Sequence, residues 1–228
     1  MATRLAGPCL KPRHSKRPLI PKEEPREAMH IVCTDLEGVL VPEIWIHVAQ
    51  KTGIAELRLT TRDISDYDLL MRKRLGILDQ HGLKLKDITD VIQAMDPMPG
   101  AVAFLDWLRA QTQVIIVSDT YKEFAKPLMA KLGWPTLFCN SLVIDGSGAI
   151  ADYRLRQPDG KRHVVEALHG LNFKVIAMGD SYNDISMLKS AEHGFLFRPP
   201  QNVIDEYPQF PVTHEYAAIK EAIAKLLV

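Results

Sequence analysis

Residues 31–43, IVCTDLEGVLVPE, run an apolar stretch straight into Asp35 and Glu37. A lone carboxylate is costly to bury, so acids at the end of a core-type strand need a partner. The arrangement recurs: QVIIV is followed by Ser118, Asp119 and Thr120, and FKVIAM by GDSYND, which holds Asp180, Asn183 and Asp184. One acid after a strand is ordinarily a helix N-cap. Three segments of this kind would bring Asp35, Glu37, Ser118, Asp119, Asp180, Asn183 and Asp184 to one edge, because open parallel sheets bind ligands at the carboxyl ends of their strands. Crowded carboxylates repel one another and call for a cation. Oxygen-only ligands suit Mg²⁺, which keeps several waters and often meets phosphate oxygens. The histidines lack metal-ligand spacing, which disfavours zinc.

The elements that must position these residues read as an alternation. HIVCT is a strand, EIWIHVAQKTG a helix closed by Gly53, and TTRDISDYDLLMRKRLGILDQHG a helix capped by Ser65 or Asp66 and ended by Gly82. LKDITDVIQAM is helical, as is DPMPGAVAFLDWLRAQ, with prolines at its start. QVIIVSDT is a strand, YKEFAKPLMAKLG a helix broken near Pro127, and TLFCNSLVID a strand or hairpin. KRHVVEALHG and NDISMLKSAEH are helices, FKVIAMGDS and GFLF strands, and AAIKEAIAKLL a closing helix. Continuous Val/Ile runs between amphipathic helices predict an α/β fold, a doubly wound parallel sheet covered on both faces. Residues 43–97 are nearly all helical, whereas a crossover between parallel strands needs only one helix. The surplus predicts a small helical cap over one edge. The expected layout is therefore a tail over 1–28, an α/β core over 29–42 and 98–228, and a cap over 43–97.

The 228 residues suffice for one large domain or one domain with a small insert. Lys+Arg and Asp+Glu both count 28, but residues 1–28 hold seven basic side chains against three acidic ones, which leaves the remainder mildly acidic. That argues against a nucleic-acid partner. No apolar stretch approaches the ~18–20 residues of a transmembrane helix, so no membrane role is expected. Cys9, Cys33 and Cys139 are scattered and odd in number, which fits a reducing cytoplasm. The tail has five prolines and few large apolar residues, the composition of disorder. Met29, just before the first strand, is another place for the chain to start.

DLEGVL, then SDT, then Lys161, then GDSYND resembles, in order, the four motifs of the haloacid dehalogenase-like phosphohydrolases. The resemblance runs from residue 30 to about 200. PEIW, LLMRKRL and SDTYKEFAKPLMAKLGWPT look like the phosphoserine phosphatase branch, and DLEGVLVPEIW with PQFP like its bifunctional phosphoserine phosphatase/homoserine phosphotransferases. The resemblance implies Asp35 as a nucleophile that forms an aspartyl-phosphate. It implies a Mg²⁺ site from Asp35, Asp180, the backbone carbonyl of Glu37 and, through water, Asp184. Glu37 stands where most members have Asp, the general acid and base. Its extra methylene could slow hydrolysis enough for another hydroxyl, such as that of homoserine, to take the phosphoryl group. Ser118 and Lys161 would hold phosphate oxygens, and Asn183 would orient the site or touch substrate. Asp119 replaces a glycine common in the branch and is expected to bear on acceptor binding. Glu43 would take the ammonium of L-phosphoserine, and Arg74 its carboxylate. Homodimerisation is an expectation of the family alone.

Ordinary readings stand beside these. Glu37 could be an exposed loop acid, Lys161 a solvated lysine with Arg162 blurring the register, Arg74 a solvated helix residue, and Glu43 a first-turn acid. Tyr67 reads as core rather than pocket, Thr120 as a weak ligand contact, and Trp45, Trp107 and Trp134 as packing. Competing functions are a phosphatase for another small ester, a receiver domain and a non-catalytic phosphate-binding relative. Receiver domains are about half this length and lack the insert. A dehalogenase would not need the Asp180/Asp184 pair.

Overall fold

The computed structural model describes residues 28–61, 63–64 and 66–227. The tail up to residue 27 and Ser65 as a cap lie outside the described residues. Asp66 is the cap: its carboxylate accepts the Leu69 N–H at 3.0 Å.

Among the described residues, seven strands form one sheet in the order β4-β3-β2-β1-β5-β6-β7. They are β1 (Met29–Thr34), β2 (Gln113–Tyr121), β3 (Thr136–Ile144), β4 (Ile150–Arg154), β5 (Phe173–Gly179), β6 (His193–Phe197) and β7 (Val212–Thr213). All neighbours pair parallel except β3 and β4, an antiparallel hairpin at one edge. The α/β reading with a mostly parallel sheet holds.

Strand alternation explains why both faces are covered. Val32, Ile116, Ile176 and Met178 point into one apolar cluster, whereas Ile31, Cys33, Val117, Val175 and Ala177 point into the other. The first face is covered by α4 (Ala101–Gln111), α5 (Lys122–Lys131) and α9 (Tyr216–Ala224), together with α1 (Ile44–Thr52), α2 (Tyr67–Gln80) and α3 (Leu85–Gln93). The second is covered by α6 (Gly160–Gly170), α7 (Ile185–Ser190) and α8 (Gln201–Glu206).

Helices α1 to α3 lie between β1 and the crossover helix α4, and their buried residues join the sheet's own cluster. Polar ties hold them as well. The Lys131 ammonium on α5 donates to the carbonyls of Gln93 and Met95 at 3.0 and 2.6 Å. Arg72 pairs with Asp152 of β4 at 2.8 Å, and the Tyr153 hydroxyl donates to Asp68.

Several local expectations need correcting. Helix α5 runs through Pro127 without a break, because Phe124, Ala125, Leu128 and Met129 are buried and packing outweighs one lost helical hydrogen bond. The prolines at 97 and 99 precede α4, which starts after Gly100. Strands β4 and β7 and helix α8 had no separate reading: each is six residues or fewer, too short to show a period. No helix among the described residues is long and apolar enough to cross a membrane.

Candidate active site

The carboxyl ends of β1, β2 and β5 meet, and each delivers its acids by a different local device. At β1, the Asp35 N–H donates to the Met178 carbonyl at 2.9 Å, and its Oδ1 accepts the Leu36 N–H at 2.7 Å. The chain then turns at Gly38, whose φ is +74°. A Cβ there would lie 2.4 Å from the Asp180 carboxylate, so only glycine lets this loop approach.

At β2 the strand continues through the motif itself. Val117 pairs with Phe138 and Tyr121 with Asn140, so four steps on β2 oppose two on β3. This bulge re-aims Ser118, Asp119 and Thr120 toward the acids. At β5, Gly179 is followed by a turn in which Asp184 Oδ2 accepts the N–H groups of Asp180 and Ser181 at 2.9 and 3.1 Å.

Lys161, the second residue of α6, is 3% exposed and therefore not a solvated lysine. Its ammonium lies 2.6 Å from Asp184 Oδ1, 3.0 Å from Asp35 Oδ2 and 3.8 Å from Asp119 Oδ2. Burial works against the ammonium charge, but Asp184, Asp35 and Asp119 more than reverse that, so the group is held protonated. Burial also pushes the Asp35 carboxyl well above the usual range; Lys161 pulls it back, while Asp184 and Asp180 push it further.

Asp35, Asp180 and Asp184 are all buried, and each offers an oxygen within 4.8 Å of the others. One ammonium does not balance three carboxylates. An all-oxygen donor set with excess negative charge fits a hard divalent cation such as Mg²⁺.

Across a compact cavity of about 90 Å³ stand Glu37, Glu43, Trp45, Thr60, Thr61, Tyr67 and Arg74. Glu37 Oε2 accepts the Ile44 N–H at 2.8 Å, so this half-buried acid ties the β1 loop to the start of α1. Burial, with the nearby Glu43 charge, lifts its carboxyl to about 7 against the opposing pull of Ile44 N–H, Arg74 and Lys161. Glu43 precedes α1 and caps nothing with its side chain.

Arg74 is 6% exposed rather than solvated. Its Nη2 donates to the Leu59 carbonyl at 2.7 Å, its guanidinium lies 4.5 Å from the Trp45 ring centre, and its Nε has no protein partner. A buried guanidinium beside the cavity whose Nε has no protein partner keeps part of its hydrogen-bonding capacity unspent.

The predicted residues thus converge: Asp35, Glu37, Glu43, Arg74, Ser118, Asp119, Asp180 and Asn183 line this cavity, and Lys161 and Asp184 touch its floor. Thr120 lines it too. Three aromatic readings change, the plainest being Trp134, read as packing but 64% exposed. Trp45 packs edge-on against Phe124 on one side, as expected, but its ring also carries Arg74. Tyr67 lines the cavity, with its hydroxyl 2.7 Å from that of Tyr121. Thr60 and Thr61 went unremarked, since a pair of threonines in a loop carries no signal in isolation.

These features match known proteins. The family model for haloacid dehalogenase-like hydrolases matches residues 29–192. The chain is 57% identical over 197 residues to the phosphoserine phosphatase ThrH of Pseudomonas aeruginosa, covering 86% of this chain and 96% of that protein. It is 56% identical over 198 residues to a phosphoserine phosphatase of Pseudomonas syringae pv. tomato, covering 87% and 84%. Among solved structures, a phosphoserine phosphatase from T. onnurineus superposes with a TM-score of 0.67 at 21% identity, over 89% of this chain and 98% of that one, a likeness of fold. With its four acidic and basic motifs gathered at one sheet edge and the family model spanning most of its length, the chain belongs to the haloacid dehalogenase-like hydrolases.

Proposed function

We propose that this hydrolase is a Mg²⁺-dependent phosphoserine phosphatase that works through an aspartyl-phosphate on Asp35. One observation carries the substrate: a single compact cavity has at its floor Asp35, whose carboxylate lies 3.0 Å from the Lys161 ammonium, and on its cap side both Glu43, a carboxylate that caps no helix N–H, and an incompletely bonded guanidinium, Arg74. A zwitterionic amino-acid ester uses both charges, whereas a sugar phosphate uses neither. The names of the two Pseudomonas relatives support the same substrate.

In this reading Lys161 and the Ser118 hydroxyl and N–H hold phosphate oxygens. Asp35 attacks phosphorus and the bond to the serine oxygen breaks, with Glu37 giving that oxygen its proton. Glu37 then takes a proton from water as the water attacks the aspartyl-phosphate, which releases phosphate and restores Asp35. A carboxyl lifted to about 7 suits both roles at neutral pH. Mg²⁺ held by Asp35, Asp180, the Glu37 carbonyl and, through water, Asp184 would supply positive charge against the phosphate. Residues 43–97 act as the cap that carries Glu43 and Arg74. Homoserine is the proposed second acceptor, its hydroxyl attacking the aspartyl-phosphate in place of water and giving its proton to Glu37. We place the protein in the cytoplasm, in keeping with a buried Cys33 and no CxxC pair, and expect a homodimer by light scattering.

The test is phosphate release from L-phosphoserine with and without Mg²⁺, and with homoserine added, on wild type and Asp35→Asn. Release that needs Mg²⁺ and vanishes in Asp35→Asn supports the mechanism. Undiminished release in Asp35→Asn overturns it.

A further inference from the structure

Two cavities meet at the catalytic edge. The compact one, about 90 Å³, holds Asp35, Glu43 and Arg74; the wider one, about 620 Å³, opens toward Gln157, Tyr182 and Ser186. Thr61, Tyr67, Asp119 and Asn183 line both. The shared wall is held by hydrogen bonds. Asn183 Nδ2 donates to Asp119 Oδ2 at 2.8 Å, and the Tyr67 hydroxyl donates to the Asp119 carbonyl at 3.3 Å. Asn140 Nδ2 donates to the same carbonyl at 3.0 Å, and the Lys161 ammonium stands 3.8 Å from Asp119 Oδ2. A polar chain therefore runs from the GDSYND loop through Asp119 to α2.

We infer that the Asp119–Asn183 pair is a size-selecting bar. It confines the alcohol part of the phosphate ester to the compact cavity and excludes esters whose bulk would need the wider chamber. The inference rests on the phosphatase reading above and goes beyond it, since Glu43 and Arg74 recognise charge and set no limit on size. The backbone of Asp119 is fixed by Tyr67 and Asn140, but its side chain is 39% exposed and held in place by Asn183 and Lys161 rather than by packing. Glycine at 119 would remove the bar and join the two spaces. Asparagine would keep its length and an oxygen to accept from Asn183.

The experiment compares kcat/KM for L-phosphoserine with that for p-nitrophenyl phosphate, a bulky aryl ester, on the Mg²⁺-supplied wild type, Asp119→Gly, Asn183→Ala and Asp119→Asn. The expected result is a rise in the aryl-to-serine ratio of about 10-fold or more in Asp119→Gly and Asn183→Ala, the scale on which a pocket's shape separates substrates. Asp119→Asn should stay near the wild-type ratio. An unchanged ratio in Asp119→Gly overturns the bar, as does an equal rise in Asp119→Asn, which would make charge the selector. Loss of both activities together also overturns it. A wild type inactive on L-phosphoserine would sink the substrate reading instead; phosphoethanolamine, another small aliphatic ester, then replaces it in the ratio.

Discussion

Arg74 is surrounded on three sides by things that hold it still: the Leu59 carbonyl, the Met71 sulfur and the Trp45 ring. A lysine there would keep the charge but lose the planar fork and the stack on the indole. Hydrogen bonds to charged groups contribute about 1.5–3 kcal/mol, so Arg74→Lys should raise KM for L-phosphoserine by roughly 10- to 100-fold with kcat little changed. A phosphate ester with no carboxylate should be unaffected, and initial-rate kinetics on the two esters read the difference. Gly38 sets a second expectation at this scale. A methyl group there meets Asp180 in a backbone conformation that L side chains resist. Gly38→Ala should lower stability by about 1–3 kcal/mol and abolish Mg²⁺-dependent phosphate release, both measurable on one preparation. The acids were legible in the sequence because their type, their place after apolar runs and their order all agreed. Trp45 was not, since an indole that packs against Phe124 and one that also supports a guanidinium leave the same helical pattern.

Among elements, α5 and the end of β2 show where local pattern misleads. Pro127 sits inside α5, where it has no N–H for the Glu123 carbonyl, yet the helix continues because its apolar side is buried on both flanks of the proline. Propensity is a weak prior against such burial. Interior proline is disfavoured by about 3 kcal/mol, offset in part by the 0.4–1 kcal/mol or so that proline gains by restricting the unfolded chain. Pro127→Ala should therefore raise the melting temperature by several degrees, at roughly 2–4 °C per kcal/mol for a chain of this size, and leave turnover alone. A lower melting temperature would mean that the half-buried ring packs better than the helix bond it replaces. The β2 bulge was equally illegible. QVIIVSDT reads as one regular strand, whereas the two extra residues opposite β3 are a property of pairing between segments. Long Val/Ile runs and capped helices were readable because each repeats its period several times; β7, with two residues, has none to repeat.

At the scale of the whole molecule, the sheet's two apolar faces fix where its strands end, and those ends concentrate charge that packing alone cannot balance. Lys161 is a single ammonium against Asp35, Asp119 and Asp184, with Asp180 adding to the field on Asp35. Folding therefore works against this cluster when no cation is supplied, and a cation that binds only the folded state should add stability by mass action. At about 100 times its dissociation constant that addition is about 2.7 kcal/mol, or roughly 5–10 °C in melting temperature. Asp180→Asn removes one charge from the cluster at nearly constant volume. Without divalent ions the variant should melt no lower than the wild type, because the repulsion is relieved. With Mg²⁺ it should gain little, so the order of the two proteins reverses on adding the metal. Melting curves of both proteins in EDTA and in excess Mg²⁺ measure this crossing. Parallel shifts of the two would mean that the ion binds somewhere other than among these three strand ends.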